Sequence, residues 1–413
     1  MNMMETDIHD IVEERHFSGA PIVDVDLYSD EAMLNPVPLH RRIREAGPVV
    51  WIPSTGTFYV AHWATGRKIF QSWQDFSSAR GIGIRDAAEY SRTRTPSLLL
   101  ETDPPEHDKY RSIISRLLSP AAMKRMRIEF EERAEELVSK AIEKRFVDLA
   151  NDVISPFVIN GMANSIGLPK DNREQLLIYG ELTLNLPGPP NARTQQSLDR
   201  ARDAGTLEWV AQSMRREALA PDGLAAEIFK SADTGAITEG EAELLTRIFL
   251  SASVDSTTYS LINGIRNFLD HPDQWSLLHD DPSRARDAFE EILRYNVSVQ
   301  VLHRVVAHDM ELEGVRLKTG DRIGVGMRAA NRDPEKFPDP DRFDIARKPN
   351  GHLAFGVGIH GCAGQMVSRM EADILLGMLA DRVAKILPAG EPEPFITNAI
   401  SSWRTLPVEL VPR

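Results

Sequence analysis

The sequence predicts a mainly α fold with small β sheets, built as one continuous domain over residues 1–413, and three features carry that expectation. Residues 121 to 145 (AAMKRMRIEFEERAEELVSKAIEKR) place apolar side chains at helical spacing after a Ser-Pro start. Residues 240 to 270 read as a long buried helix that stops at His271-Pro272, since the residue before a proline is pushed out of the helical region. Short β-like runs fall near 48 to 61 (PVVWIPSTGTFYVA) and 310 to 327 (MELEGVRLKTGDRIGVGM), each broken by Gly or Pro turn signals. The expected order is a small sheet, many helices, then sheet and loop before a final helix. Leu186-Pro187-Gly188-Pro189-Pro190 reads as a loop between helical segments, and residues 1 to 25 as a poorly ordered extension.

At 42% hydrophobic residues the chain can bury a substantial core. A net charge of −13 disfavours nucleic acid and anionic lipid as partners. There is no run of eighteen apolar residues, and the start, MNMMETDIHDIVEERHF, lacks the cationic and apolar regions of a signal peptide. A soluble, cytoplasmic protein is expected, with no membrane and no nucleic acid as partner.

The single cysteine excludes internal disulfides, CxxC redox pairs and multi-cysteine zinc or iron–sulfur sites. A lone cysteine by itself reads as a small buried hydrophobe, but its neighbours change that reading. Residues 352 to 364 are HLAFGVGIHGCAG, followed by QMVSRMEADILLGMLADRVAKIL, which has helical periodicity. Cys362 thus sits at the mouth of a helix, where the dipole and unpaired N–H groups favour a thiolate. Glycines 356, 358, 361 and 364 permit the turns this needs and let a flat macrocycle approach the backbone.

The run Phe355-Gly356-x-Gly358-x-His360-x-Cys362-x-Gly364 resembles the haem-binding signature FGxGxHxCxG of cytochromes P450. The resemblance implies a bacterial haem-thiolate monooxygenase of the cytochrome P450 fold, with haem b as cofactor and Cys362 as the metal ligand. Phe355 would pack beside the sulfur and the porphyrin, Gly364 would belong to the same cofactor loop, and His360 would serve a propionate or the loop itself. Other segments fit. Glu291 and Arg294 in DAFEEILRYN resemble the family's structural ExxR pair, on one helical face. Glu89/Arg92 and Glu313/Arg316 share that spacing, so helical context and position upstream of the cysteine loop single out Glu291. Asp103-Pro104-Pro105-Glu106-His107, continuing to Arg111, resembles the DPPEHxxxR segment, which implies that His107 and Arg111 hold haem propionates, with Arg304 as a third cation. Ala330-Asn331-Arg332-Asp333-Pro334 and Pro340-Asp341-Arg342-Phe343-Asp344 extend the match, which runs from about residue 30 to the C-terminus.

Within the long helix, residues 250 to 258 (LSASVDSTT) gather hydroxyls and one acid where a core helix should be apolar. The segment resembles the family's AGxDT, implying that Asp255 and Ser256 are the catalytic acid and alcohol that pass protons to dioxygen beside a widened helical groove. Ser253 stands where the family has glycine and Ser256 where it has threonine. Serine keeps the hydroxyl but loses the methyl group that restrains its rotamer, so looser coupling of oxygen reduction to product is expected.

The segments TRTPSLLLETDPP, NLPGPPNARTQ and LLTRIFLSASVD resemble the bacterial subgroup that oxidises para-substituted benzoates and demethylates methoxy-aromatic acids. That match implies a small aromatic substrate whose carboxylate meets Arg94, Ser97 and Arg247, since a buried anion needs charge-assisted donors. Leu98, Leu182, Leu186, Val254 and Val301 would line the pocket, and His303 falls where the subgroup favours an aromatic residue. No flavin or GxGxxG nucleotide fingerprint is present, so electrons should arrive from a [2Fe-2S] ferredoxin served by an NAD(P)H-dependent ferredoxin reductase, with O2 as co-substrate. Rival readings are the same chemistry on a terpene, fatty acid or macrolide, and a non-catalytic haem-thiolate binding or sensor protein, which would not need Asp255 and Ser256.

Overall fold

Thirty-two residues, Glu239–Asp270, form one central helix. Its start is fixed by a capping box: Glu241 N donates to the Thr238 hydroxyl, and the Glu241 carboxylate accepts from Thr238 N at 2.6 Å. The helix spans about 48 Å at 1.5 Å per residue. It packs against the helices Ser155–Ile166, Leu224–Asp233, Ala285–Tyr295 and Gln365–Arg382. Burial on nearly all sides demands apolar residues on all faces, which is why the polar cluster within it is informative. In the Pro120–Lys144 helix, by contrast, one stripe turns inward (Ala122, Met126, Phe130, Ala134, Val138, Ala141). That helix lies along Gln365–Arg382, with Arg127 bonded to Asp373 at 2.9 Å and Arg382 to Glu135 at 2.7 Å across the seam.

This computed structural model describes residues 18–413. Its largest sheet has the strand order Val50–Ile52, Thr57–Val60, Arg322–Gly326, Val301–Val306, Phe76–Ser77, so it joins the two β-like stretches of the sequence. Met310–Leu312 and Val315–Leu317 form a separate hairpin. The 186–190 segment does connect two helices, Gln175–Asn185 and Ala192–Asp203.

Two expectations are corrected. Residues 18–25 are not a loose extension: Trp51 N donates to Pro21 O and Val23 N to Trp51 O, both at 2.9 Å, and Ala20 and Val23 are buried. The open edge of the Val50–Ile52 strand supplies the backbone partners that order them. The rest of that expectation, residues 1–17, lies outside the described residues. The helix after the cysteine ends at Arg382, and Val383–Pro388 is a strand paired antiparallel with Pro407–Pro412, which also pairs with Phe146–Asp148. Helical periodicity in VAKIL could not reveal a partner strand twenty residues downstream, and tertiary pairing overrides it. The chain therefore closes in strands, including the pair Pro394–Ile396 and Ser401–Trp403.

Glu291 and Arg294 are wholly buried and joined by two bonds of 2.7 and 2.8 Å. Arg294 also donates to the carbonyls of Asn331, Pro340 and Arg342, and Glu291 accepts from Asp344 N. The pair thus staples the 331–344 segment, which leads to the cysteine loop, onto the Ala285–Tyr295 helix. Such burial is tolerated because the donors and acceptors find partners. Glu89 instead pairs with Arg85 at the surface.

Candidate active site

Cys362 lies two residues before Gly364, the N-cap of the Gln365–Arg382 helix, and its N–H donates to Phe355 O at 2.8 Å, closing the loop on itself. Gly358 has a φ of +76°, and a Cβ there would stand 2.4 Å from Phe70 O, so only glycine lets the loop settle on the Trp63–Gln71 helix. Burial pushes the Cys362 thiol up, against the pull of the Gly364 and Gln365 amides and of Arg111 and Arg369. Burial thus opposes the thiolate that the helix mouth favours, and an iron held at the sulfur would supply the balancing positive charge. Arg369 lies over the Phe355 ring at 4.5 Å.

Cys362 lines a cavity of about 360 Å³. Its wall includes Arg111, Arg304, Phe355, His360, Gly364, Asp255 and Ser256. Arg304 is buried, donates to His303 O at 2.8 Å and stacks on Phe70 at 4.9 Å. Burial pulls its guanidinium down to about 10, against the pull of Asp103. His107 is buried edge-on to His360, with ring centroids 4.6 Å apart, and its Nε2 has no hydrogen-bond partner among the described residues. His360 Nε2 bonds Ser78 at 2.9 Å, and burial holds its pKa below the ordinary value. His107 itself is not on the cavity wall and reaches it only beside His360.

On the central helix the hydroxyls bond back one turn: Ser253 to Phe249 O at 2.7 Å and Ser256 to Ala252 O at 3.0 Å. These residues lie within the continuous Glu239–Asp270 helix. Asp255 is buried and forms no hydrogen bond or ion pair among the described residues. Burial, with Glu181 nearby, pushes its carboxyl up to about 7. A Cβ on Gly180 would fall 2.2 Å from Asp255 Oδ2, so the glycine makes the space this carboxyl occupies.

The family model for cytochrome P450 matches residues 285–402, which hold the ExxR pair and the cysteine loop. Over 96% of both chains the protein is 36% identical to cytochrome p450 CYP199A2 of Rhodopseudomonas palustris. The chain belongs to the cytochrome P450 family. It is also 28% identical to a steroid C26-monooxygenase of Mycolicibacterium smegmatis, over 93% of this chain and 94% of that one. Its fold superposes on CYP109E1 from Bacillus megaterium, solved with testosterone, at a TM-score of 0.81 and 25% identity, covering 92% of this chain and 99% of that one. As a cytochrome P450 it is an oxidoreductase that uses O2, external electrons and haem b.

The residues present fit that cofactor. Among the described residues Arg111 and Arg304 form no ion pair, and both reach the cavity, so propionate carboxylates would find donors there, with the His107 ring behind His360. Cys362 would hold the iron from the loop side. No helix among the described residues of this P450 is long and apolar enough to cross a membrane.

Beyond the cofactor region the cavity wall takes in Arg94, Ser97, Arg247, Val301 and His303. Leu98, Leu182, Leu186 and Val254, expected there, are not on it. Leu182 and Leu186 pack with Ala87, Tyr90 and Ala201 while their neighbours Thr183, Leu184 and Pro187 face the cavity. Leu98 and Val254 join the main core, Leu99 and Asp255 lining the wall instead. Arg94 does not offer a free guanidinium: it bonds both oxygens of buried Glu101, at 2.8 and 3.0 Å. Glu101 also accepts from Ser97 N and Tyr90 OH. Ser97 Oγ accepts from the N–H groups of Leu99 and Leu100, leaving its own proton free to donate. His303 is buried with neither ring nitrogen bonded among the described residues, and burial lowers its pKa to about 3, so it is a neutral wall residue.

Sequence reasoning missed Glu101 and Glu371. Glu101 had a signal, an acid amid LLLETDPP. Glu371 is wholly buried on the cysteine helix and pushed well above the usual carboxylate range, so it is neutral on the cavity wall. Nothing in its local sequence separates it from a surface acid.

Proposed function

We propose that this P450 oxidises a small para-substituted benzoate, removing the methyl group of a methoxy acid such as 4-methoxybenzoate, with electrons from a [2Fe-2S] ferredoxin and its NAD(P)H-dependent reductase. Arg247 carries the reading. It lines the cavity, donates only to Thr95 O at 3.2 Å, and has no acidic partner among the described residues. Arg247, Ser251 and Asp255 form one i, i+4, i+8 stripe facing the cavity, roughly 12 Å from cation to acid along the helix. With Arg94 neutralised by Glu101, the acid-binding end holds one net positive charge for one carboxylate. Ser97 and Arg247 are the donors for it, and Val301 and His303 bound the ring.

Bound haem b supplies the chemistry that inserts one atom of O2 into a C–H bond. The overall reaction is RH + O2 + two electrons + two protons giving ROH and water; for a methoxy group the hydroxylated carbon collapses to formaldehyde and a phenol. Asp255, neutral below about pH 7, holds a proton at the cavity wall, and Ser256 Oγ can pass one on by turning from Ala252 O.

The expected result is that 4-methoxybenzoate binds and is demethylated while neutral 4-methoxytoluene binds far more weakly, since the toluene strands Arg247. Stranding a fully buried charged donor costs on the order of 2 to 5 kcal/mol, and the partial exposure of Arg247 puts its loss at the lower end. Arg247→Leu should narrow the gap by weakening the acid. Titration of both compounds by the low-spin to high-spin Soret shift decides it; equal affinities in the parent would sink the benzoate reading. In that event the steroid-oxidising relatives supply the next substrate class to titrate.

Ser256→Ala should keep NAD(P)H consumption but divert it to peroxide, because proton placement is lost. Asp255→Asn should slow the whole cycle, by about 100-fold for loss of a positioned acid. Raising pH through about 7 ionises Asp255, so turnover in the parent should fall there and the asparagine variant should lose that inflection. Unchanged coupling in Ser256→Ala, or an unchanged pH profile in Asp255→Asn, would remove the assignment.

A further inference from the structure

His62 is the N-cap of the Trp63–Gln71 helix, and its Nε2 lies 3.0 Å from Arg44 O. A backbone carbonyl can only accept, so this nitrogen carries the proton and donates it. In the neutral ring Nδ1 is then a bare lone pair, and it meets Asp333 Oδ2 at 3.7 Å, one acceptor facing another. Asp333 is buried, and backbone donors fix both its oxygens: Trp63 N on Oδ2 at 2.8 Å and Glu335 N on Oδ1 at 3.1 Å. Glu335 is exposed and forms no ion pair among the described residues. Its carboxylate completes a set of three whose ligand atoms all lie within 4.8 Å of one another. The neighbouring cations are turned elsewhere: Arg44 donates to Ala329 O at 3.0 Å, and Lys336 sits over the Trp63 ring at 4.4 Å.

We propose that His62 Nδ1, Asp333 and Glu335 bind one divalent cation of the zinc class. Such an ion turns the facing acceptors into common ligands, and two carboxylates balance its charge. An imidazole among the ligands selects zinc and its transition-series neighbours over magnesium and calcium, which prefer oxygen alone. Zinc bonds of about 2.0–2.2 Å hold ligand atoms on the order of 3.5 Å apart in a tetrahedron, so the His62–Asp333 spacing of 3.7 Å is close to what is needed. Only the exposed Glu335 side chain has to close in, and water takes the fourth position. The bonds behind the ligands are of the kind that orient them: imidazole to a backbone carbonyl, carboxylate to backbone amides. Two elements meet at the ion. His62 starts the helix whose Phe70 carbonyl lies against Gly358 of the cysteine loop, and Asp333 follows Asn331, whose side chain holds Leu353 N at 2.6 Å ahead of that loop. The ion therefore clamps the supports of the cysteine loop to each other, and its effect is on stability.

The test uses haem-loaded protein free of any affinity tag, dialysed against zinc chloride or magnesium chloride at equal ionic strength. One zinc per haem iron should bind saturably by elemental analysis, and the thermal unfolding midpoint should rise with it, as for a ligand bound only to the folded state. Magnesium should do neither. Crystals grown with zinc should show, in the difference across the zinc absorption edge, a peak between His62 and Asp333. Glu335→Gln, at an exposed position, should keep the parent's carbon monoxide spectrum while weakening zinc by roughly 10-fold or more, a loss typical even of partners behind the ligands. His62→Gln should lose the peak altogether. A parent that takes up no zinc would overturn the proposal in favour of a protonated His62 paired with Asp333. A peak without stabilisation would mean binding at crystal concentration only. Zinc bound away from His62, or bound at full affinity by Glu335→Gln, would put the ion elsewhere; each of these outcomes also rejects the site. The parent titration and difference map stand even if His62→Gln fails to fold.

Discussion

Cys362→His is expected to abolish the strongly red-shifted Soret band of the reduced, carbon monoxide-bound protein completely. The chain has no second cysteine, so no other thiolate can take over. The loop holds position 362 by its own N–H bond to Phe355 O, and the amides of Gly364 and Gln365 point at the side chain whatever it is. Histidine can therefore occupy the place, but its neutral nitrogen does not push electron density as a thiolate does. Monooxygenase turnover should go with the band. Reduced-minus-oxidised spectra under carbon monoxide check this, and a variant that kept the band would show that the iron is held by another group.

Glu291→Ala should be the most destabilising single change outside the cysteine loop, at about 3–5 kcal/mol, because it strands a buried guanidinium. By comparison Glu89→Ala, which removes an exposed partner of Arg85 and the capping-box acceptor of Asp86 N, should cost about 1 kcal/mol. Replacing both Glu291 and Arg294 by leucine should not restore the parent. The carbonyls of Asn331, Pro340 and Arg342 would then lose their donor as well. Thermal midpoints and the fraction of haem retained after purification measure these effects. Equal losses in the Glu89 and Glu291 variants would mean that the buried pair is not a lock.

Much of the site was legible because it is written in short-range geometry. ExxR, the His107–Arg111 spacing and the Asp255–Ser256 pair were read from their resemblance to family motifs, and the first two sit at three- and four-residue offsets that put both members on one helical face. The cysteine loop was legible for a similar reason, since its glycines serve turns and approaches made within a few residues. The substrate end was less so. Arg94, Ser97 and Arg247 do come to one cavity, yet Glu101, seven residues from Arg94 in a stretch with little regular structure, takes the charge that was assigned to a ligand.

The sequence by itself determined the long helices, the strand runs near 48 to 61 and 310 to 327 and the position of the single sulfur, since periodicity, caps and breakers act locally. Tertiary structure alone decided that residues 18–25 are ordered by Trp51, that Val383–Pro388 leaves the helix for a strand, and that Asp255 rests against Gly180. It also decided which side of a helix faces the cavity rather than the core, as with Val254 and Asp255. On a helix buried all round, hydrophobicity is nearly uniform and carries no direction. Direction comes only from what the neighbouring elements fill and what they leave open.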